Sequence, residues 1–261
     1  MSSPPLPLTS RNRAAIVDEL RRLLPRLEGH GGAARVLAFG LDALDRHLPH
    51  GGLATDALHE VAPQQHGDTP AAFGFLVALL ARFPPVTRPL LLVASYRALA
   101  DHGRPHGHGL QQLGLDPARL ILVATRNDAQ TLWAMEEALR SRVPAAVGGA
   151  ILRLDLKTSQ RLHLAAGDAG LPLVLLRPAR ADDASAAATR WRIGTAEATR
   201  DRYGLLTHTR WRARLERCRN GRPGDWLVEF DHAAYRFSLA APLADPALSR
   251  RGGAHSLRRA G

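Results

Sequence analysis

A single lysine, Lys157, stands among 35 basic residues, so any chemistry that needs a lysine at a given place has one residue to draw on. A single cysteine, Cys218, excludes internal disulfides and fits a reducing compartment. Long apolar runs are also missing. The longest, Phe73 to Ser95, is broken by Arg82, Pro84, Pro85, Arg88 and Pro89, which excludes a membrane span there. The first residues carry Pro4, Pro5, Pro7, Arg11 and Arg13 and no apolar secretory segment. These absences predict a soluble cytoplasmic protein with no membrane contact. With 261 residues, 45% of them apolar, the chain suits one large domain with short appendages.

What is present centres on Ala62-Pro63-Gln64-Gln65-His66-Gly67-Asp68-Thr69. It follows a short apolar run, Leu58 to Val61, and precedes Pro70, a residue suited to the first turn of a helix because its missing N–H would be unpaired there. Residues 71–82 are apolar nearly all round, as in a buried helix. Strand, loop and buried helix in this order suggest a phosphate-binding loop. A working loop, G-x-x-x-x-G-K-[ST], needs its first glycine to curl round the phosphates and its lysine to reach their outer charges. Here Ala62 takes the place of that glycine and Asp68 that of the lysine, while Gly67 and Thr69 remain. A carboxylate near a triphosphate repels what lysine attracts, by about 4 kcal/mol for unit charges 4 Å apart near a protein surface.

Apolar periodicity extends the alternation along the chain. Strands are predicted at Leu58 to Val61, Pro89 to Ser95, Arg119 to Ala124, Ala145 to Leu152 and Leu171 to Leu176, with helices near 71–82, 106–113, 128–142 and 157–168. That is an α/β fold with a mostly parallel central sheet flanked by helices. From Thr189 the pattern changes to Trp191–Gly194, Trp211–Arg217, the turn Asn220–Gly224 and Trp226–Phe230, an antiparallel extension. Ser10 caps a predicted helix running to Leu24, or past Pro25 to about Leu27, and Gly29 to Gly32 end it. The expected organisation is an N-terminal helix and linker (1–32), a core with its basic extension (33–240) and a disordered basic tail (241–261).

The formal net charge of +11 is concentrated in the extension. Between Arg190 and Arg222 ten arginines face Glu197, Asp201 and Glu216, a local excess of seven. Such density usually faces a polyanion, although a solvated face in an arginine-preferring chain gives the same count. Strand alternation sends Arg190 and Arg192, and Arg210, Arg212 and Arg214, to one side, and Trp191 and Trp211 to the other. These five arginines are the expected DNA contacts. Trp191, Trp211 and Trp226 either stack on bases or fill the core. His102, His106 and His108 with Asp101 read as an exposed loop, not a metal site, and neither His59 with Glu60 nor any serine motif supports acid–base or nucleophilic catalysis.

The run Phe39-Gly40-Leu41-Asp42-Ala43-Leu44-Asp45, then Gly51-Gly52-Leu53 and Leu58-His59-Glu60-Val61-Ala62-Pro63, looks like the entry of a RecA-type core into its P-loop. Arg177-Pro178, Ala188-Thr189-Arg190-Trp191-Arg192, Trp211-Arg212-Ala213-Arg214-Leu215 and Asn220-Gly221-Arg222-Pro223-Gly224-Asp225-Trp226 are similar to the ImuA family, RecA-related accessory factors encoded beside ImuB and an error-prone DnaE-type polymerase. The resemblance spans about residues 10–235. It implies a RecA-like P-loop NTPase core, a damage-induced (SOS) role in mutagenic translesion synthesis and DNA repair, and contacts with an ImuB-type Y-family polymerase homologue, RecA, a DnaE-type polymerase and DNA, with homo-oligomers as a further expectation. The family also carries a label as SulA-like inhibitors of cell division that bind FtsZ, and an ATP-dependent recombinase relative is a third alternative. Against a motor, Tyr96 falls where the water-orienting glutamate belongs, and Ala146-Val147-Gly148-Gly149-Ala150 ends without the Mg²⁺-serving carboxylate, with Asp155 several residues on. No catalytic residue, cofactor or metal is expected.

Overall fold

The computed structural model describes residues 35–240 apart from 86, 99, 201, 204 and 205. The expected N-terminal helix and the 241–261 tail lie outside the described residues. The elements in chain order are β1 (Val36–Leu37), α1 (Asp42–Asp45), β2 (Leu53–Ala54), β3 (Leu58–Pro63), α2 (Thr69–Arg82), β4 (Leu90–Ser95), α3 (Gly107–Gln112), β5 (Leu120–Thr125), α4 (Asp128–Ser141), β6 (Ala146–Ala150), α5 (Leu156–Ala169) and β7 (Leu173–Leu176). The extension adds β8 (Thr189–Thr195), β9 (Thr199–Arg200), β10 (Leu206–Cys218), β11 (Gly224–Asp231) and β12 (Arg236–Leu239).

One large sheet carries the order β12-β11-β10-β8-β3-β7-β6-β4-β5. The six strands from β8 to β5 are parallel, and β10, β11 and β12 continue antiparallel from β8. The expected architecture is therefore present as a mixed, mostly parallel sheet flanked by helices. One boundary moves. β8, expected in the antiparallel extension, is the last parallel strand, because it pairs with β3 as well as with β10. β12 gave no sequence signal.

α2 lies on one face of the sheet beneath an aromatic cluster in which Phe39, Phe75, Trp191, Trp211, Phe230 and Phe237 meet. Its all-round apolar sequence matches that environment. α4 and α5 cover the other face through Met135, Leu139, Leu162 and Ala166. β6 is squeezed between the two layers. A Cβ at Gly148 would overlap Leu80 of α2, and one at Gly149 would overlap Met135 of α4, so the glycines set the close helix-to-sheet approach. Among the described residues no helix is long and apolar enough to cross a membrane.

The Phe39-Gly40-Leu41 run before the sheet is fixed by one carboxylate. Asp45 accepts the backbone N–H groups of Phe39, Gly40 and Leu41 at 2.8–2.9 Å, with Gly40 at φ 79°, a conformation that favours glycine. His59, inside β3, bonds Thr189 Oγ1 and the Ala54 carbonyl, both at 2.8 Å. Burial pushes its pKa down from 6.5 to about 4, so the folded state holds it neutral. Its contribution is complete above the unfolded value and is lost as pH falls from 6.5 towards 4. At pH 5.2 the expected loss is about 2 kcal/mol relative to pH 7.5. Urea denaturation at the two pH values measures it, and His59→Gln should flatten the dependence; equal slopes for parent and variant would assign it to other groups.

Candidate functional site

In a parallel α/β sheet a ligand is expected beyond the carboxyl ends of the strands, where the strand order reverses. β3 meets that description, because the chain leaves it through α2 and returns at β4, beyond β7 and β6. The loop after β3 thus sits at the switch point of the sheet. It is shorter than the sequence suggests. β3 runs through Pro63, pairing with Ile193, and the Gln64 N–H donates to the Ile193 carbonyl at 2.8 Å. Ala62 is therefore a buried strand residue opposite Arg192, not the first residue of the loop.

The remaining residues form a single tight turn, His66–Asp68, leading directly into α2. Asp68 is only 5% exposed. One carboxylate oxygen accepts the Thr195 N–H at 2.9 Å from the end of β8, and the other accepts the Gln65 N–H at 3.3 Å. The carboxylate thus takes up one backbone donor of the turn and one from the end of β8. Gly67 is exposed, and the Thr69 hydroxyl donates back to the His66 carbonyl at 2.7 Å.

The other positions weighed for hydrolysis have local explanations. Tyr96 leaves the end of β4 into solvent while its N–H donates to the Thr125 carbonyl. Gly149 is buried under α4. Asp155 is the N-cap of α5, accepting from the Thr158 N–H at 2.7 Å and its hydroxyl at 3.0 Å, and these bonds hold its carboxyl below the usual range. His102 tilts against His66 with ring centroids 5.9 Å apart, and no three His, Cys, Asp or Glu among the described residues converge as a metal site. Burial pushes the Cys218 thiol up to about 11.

The five arginines separate into two groups. Trp191 and Trp211 are fully buried, as alternation expected, and all five arginines leave from the opposite face. They do not form one free surface. Arg190 Nε donates to Glu60 at 2.8 Å, Arg192 Nε to Glu216 at 3.0 Å and Arg210 to Glu229 at 2.5 Å. Arg212 and Arg214 are exposed, and no acid among the described residues pairs with either. Sheet register places Glu60 beside Arg190 and Glu229 beside Arg210; it also sets Asp225 opposite Arg214, without an ion pair between those two side chains. Arg219 and Arg222, flanking the Asn220–Gly221 turn, are also exposed and were not singled out by alternation, because they lie beyond the strand.

Sequence reasoning also missed the acids that bind these arginines. Glu60 is 1% exposed and accepts from Ser185 Oγ at 2.8 Å as well as from Arg190, with Arg177 Nε at 4.0 Å. Arg177 is buried, and burial lowers its pKa despite the nearby Glu60 and Asp183. The available signal was the one acid in a short buried strand whose other side chains are apolar apart from His59, a placement that calls for a buried cation.

No family model matches the chain. Among curated proteins it is 37% identical to Protein ImuA of Caulobacter vibrioides (strain NA1000 / CB15N) over 229 residues, covering 80% of this chain and 91% of that protein. The same identity and coverage hold for Protein ImuA of Caulobacter vibrioides (strain ATCC 19089 / CIP 103742 / CB 15). Identity at this level across four fifths of this chain and nine tenths of those relatives places the chain in the ImuA family.

Proposed function

We propose that this protein is a non-hydrolysing accessory factor of the mutagenic DNA damage response, acting through contacts in translesion synthesis. The observation that carries the reading is Asp68, turned inward to bind Thr195 and Gln65 where a nucleotide-binding loop would hold a lysine free. The strand order, with β3 and its turn between β7 and β8, supports descent from a RecA-type core whose nucleotide end is filled by its own side chain. The partners in this reading come from the resemblance of the arginine and tryptophan block of the sequence: an ImuB-type polymerase homologue first, with RecA and a DnaE-type polymerase as further partners.

DNA contact belongs in this reading to Arg212 and Arg214, the two of the five arginines left without internal acids. Phosphate contacts of this kind carry no base information and weaken with salt. Replacing both with glutamine is expected to lower affinity for every sequence and to reduce the log–log salt slope by about 1.4 on single strands or 1.8 on duplex. Fluorescence anisotropy from 50 to 200 mM salt measures it. A variant with the parent's affinity and slope would remove DNA from this face. Co-purification with the ImuB-type protein tests the partner arm, and its absence at micromolar concentration would contradict the adaptor role.

A further inference from the structure

Residues 178–187 cross from β7 to β8 without joining a helix or strand. Most of their fastenings are arginine side chains, the others being Ser185 Oγ to Glu60 at 2.8 Å and the Ala186 N–H to Ser159 Oγ at 3.0 Å. The carbonyls of Ala179 and Ala181 accept from Arg192, that of Asp183 from Arg190 at 2.7 Å, and that of Ser185 from Arg217. Buried side chains within the segment are small, Ala181, Ser185 and Ala187, so little apolar area holds it down. At the surface, Asp182 pairs with Arg192 Nη2 at 2.6 Å and Asp183 lies 3.8 Å from Arg177 Nη2, although the two carboxylate side chains are 85% and 70% exposed. Beneath them Arg177, 2% exposed, has Nε and Nη1 without a hydrogen-bond partner.

This is an anion site already occupied by the protein's own carboxylates and carbonyls. Guanidinium groups bind phosphate in bidentate, charge-assisted pairs, whereas Asp182 and Asp183 each meet their arginine through a single nitrogen. The ligand best able to compete for these arginines is thus a phosphate. The site also borders the free arginines, since Arg192 is the direct cross-strand neighbour of Arg214. A polyanion resting on Arg214 lies one strand away from the covered cluster.

We propose that residues 178–187 are a displaceable cover over an anion site formed by Arg177, Arg190 and Arg192, and that a phosphodiester backbone opens it by replacing Asp182 and Asp183. The inference rests on the reading of the extension as a DNA contact, which the experiment separates from the cover itself. Hydrogen exchange of the full chain is followed with a single-stranded oligonucleotide, with inorganic tripolyphosphate and with neither, at 50 mM salt. Binding is measured in parallel. The oligonucleotide is expected to speed exchange in 179–187 at least fivefold, and D182N/D183N should reach the same state at a several-fold lower ligand concentration. D101N/D168N, which removes the same charge from exposed sites elsewhere, should behave as the parent.

Tripolyphosphate opening the segment without oligonucleotide binding would keep the cover and reject the DNA reading. Oligonucleotide binding with unchanged or slower exchange in 179–187, in both parent and D182N/D183N, would overturn the cover and leave the DNA reading in place. An equal response from D101N/D168N would reduce the effect to net charge and also overturn it. Failure of both ligands to bind either protein would reject both.

Discussion

Replacing Glu60 with alanine is expected to destabilise the protein by about 3–5 kcal/mol, a large part of the stability of a typical domain. Glu60 lies in β3 with 1% exposure, bonds Arg190 at 2.8 Å and is the buried acid beside Arg177, 4.0 Å from its Nε. Removing it leaves Arg190 Nε without its acceptor, strands the Ser185 hydroxyl and leaves Arg177 facing Asp183 alone. The cost comes mainly from buried positive charge without compensation, not from the loss of pair attraction. Glu216→Ala provides the contrast. That side chain is 29% exposed and bonds an arginine that keeps Asp182, so the change should cost no more than about 1 kcal/mol. Urea midpoints of the two variants decide the matter, and equal values would show that Glu60 does not hold the cluster.

Asp68→Ala is expected to cost about 2–4 kcal/mol, since it withdraws a charged acceptor from two backbone N–H groups, those of Thr195 and Gln65. The damage should be local to the turn and to the β8 end, visible as faster hydrogen exchange there. Asp68→Lys tests a different consequence. If Asp68 had merely replaced a lysine in an otherwise functional loop, restoring the lysine together with Ala62→Gly would restore nucleotide binding. The geometry gives another result, because Ala62 lies within β3 and the turn has only the residues from Gln64 to Asp68 to form a cradle. The double variant is expected to lose stability and to gain no measurable ATP affinity. Micromolar ATP binding by it would show that the cradle survives.

The strand and helix pattern was legible because apolar runs and their punctuation are local properties. Helices expected at 128–142 and 157–168 occur at Asp128–Ser141 and Leu156–Ala169, and the capping residues Asn127 and Asp155 accept the N–H groups that fix their starts. The inside-outside assignment of Trp191 and Trp211 was legible for the same reason. What was not legible depends on which strands become neighbours. Glu60 and Arg190 are 130 positions apart, and only the parallel pairing of β3 with β8 brings them together. The same pairing extends β3 through Pro63 and turns Ala62 from a loop residue into a strand residue. Gly148 and Gly149 resembled a failed catalytic strand end, while their role is to admit Leu80 and Met135 from the two helix layers.

The most direct measurement is calorimetric titration of the purified full chain with MgATP, with and without single-stranded DNA, alongside phosphate release. At the carboxyl end of β3 Asp68 is held by Thr195 and Gln65, and the arginine beside it, Arg192, is engaged by Glu216, Asp182 and the Ala181 carbonyl, so no binding below millimolar concentration and no DNA-stimulated turnover are expected. Micromolar binding with turnover that Asp68→Ala abolishes would contradict the account.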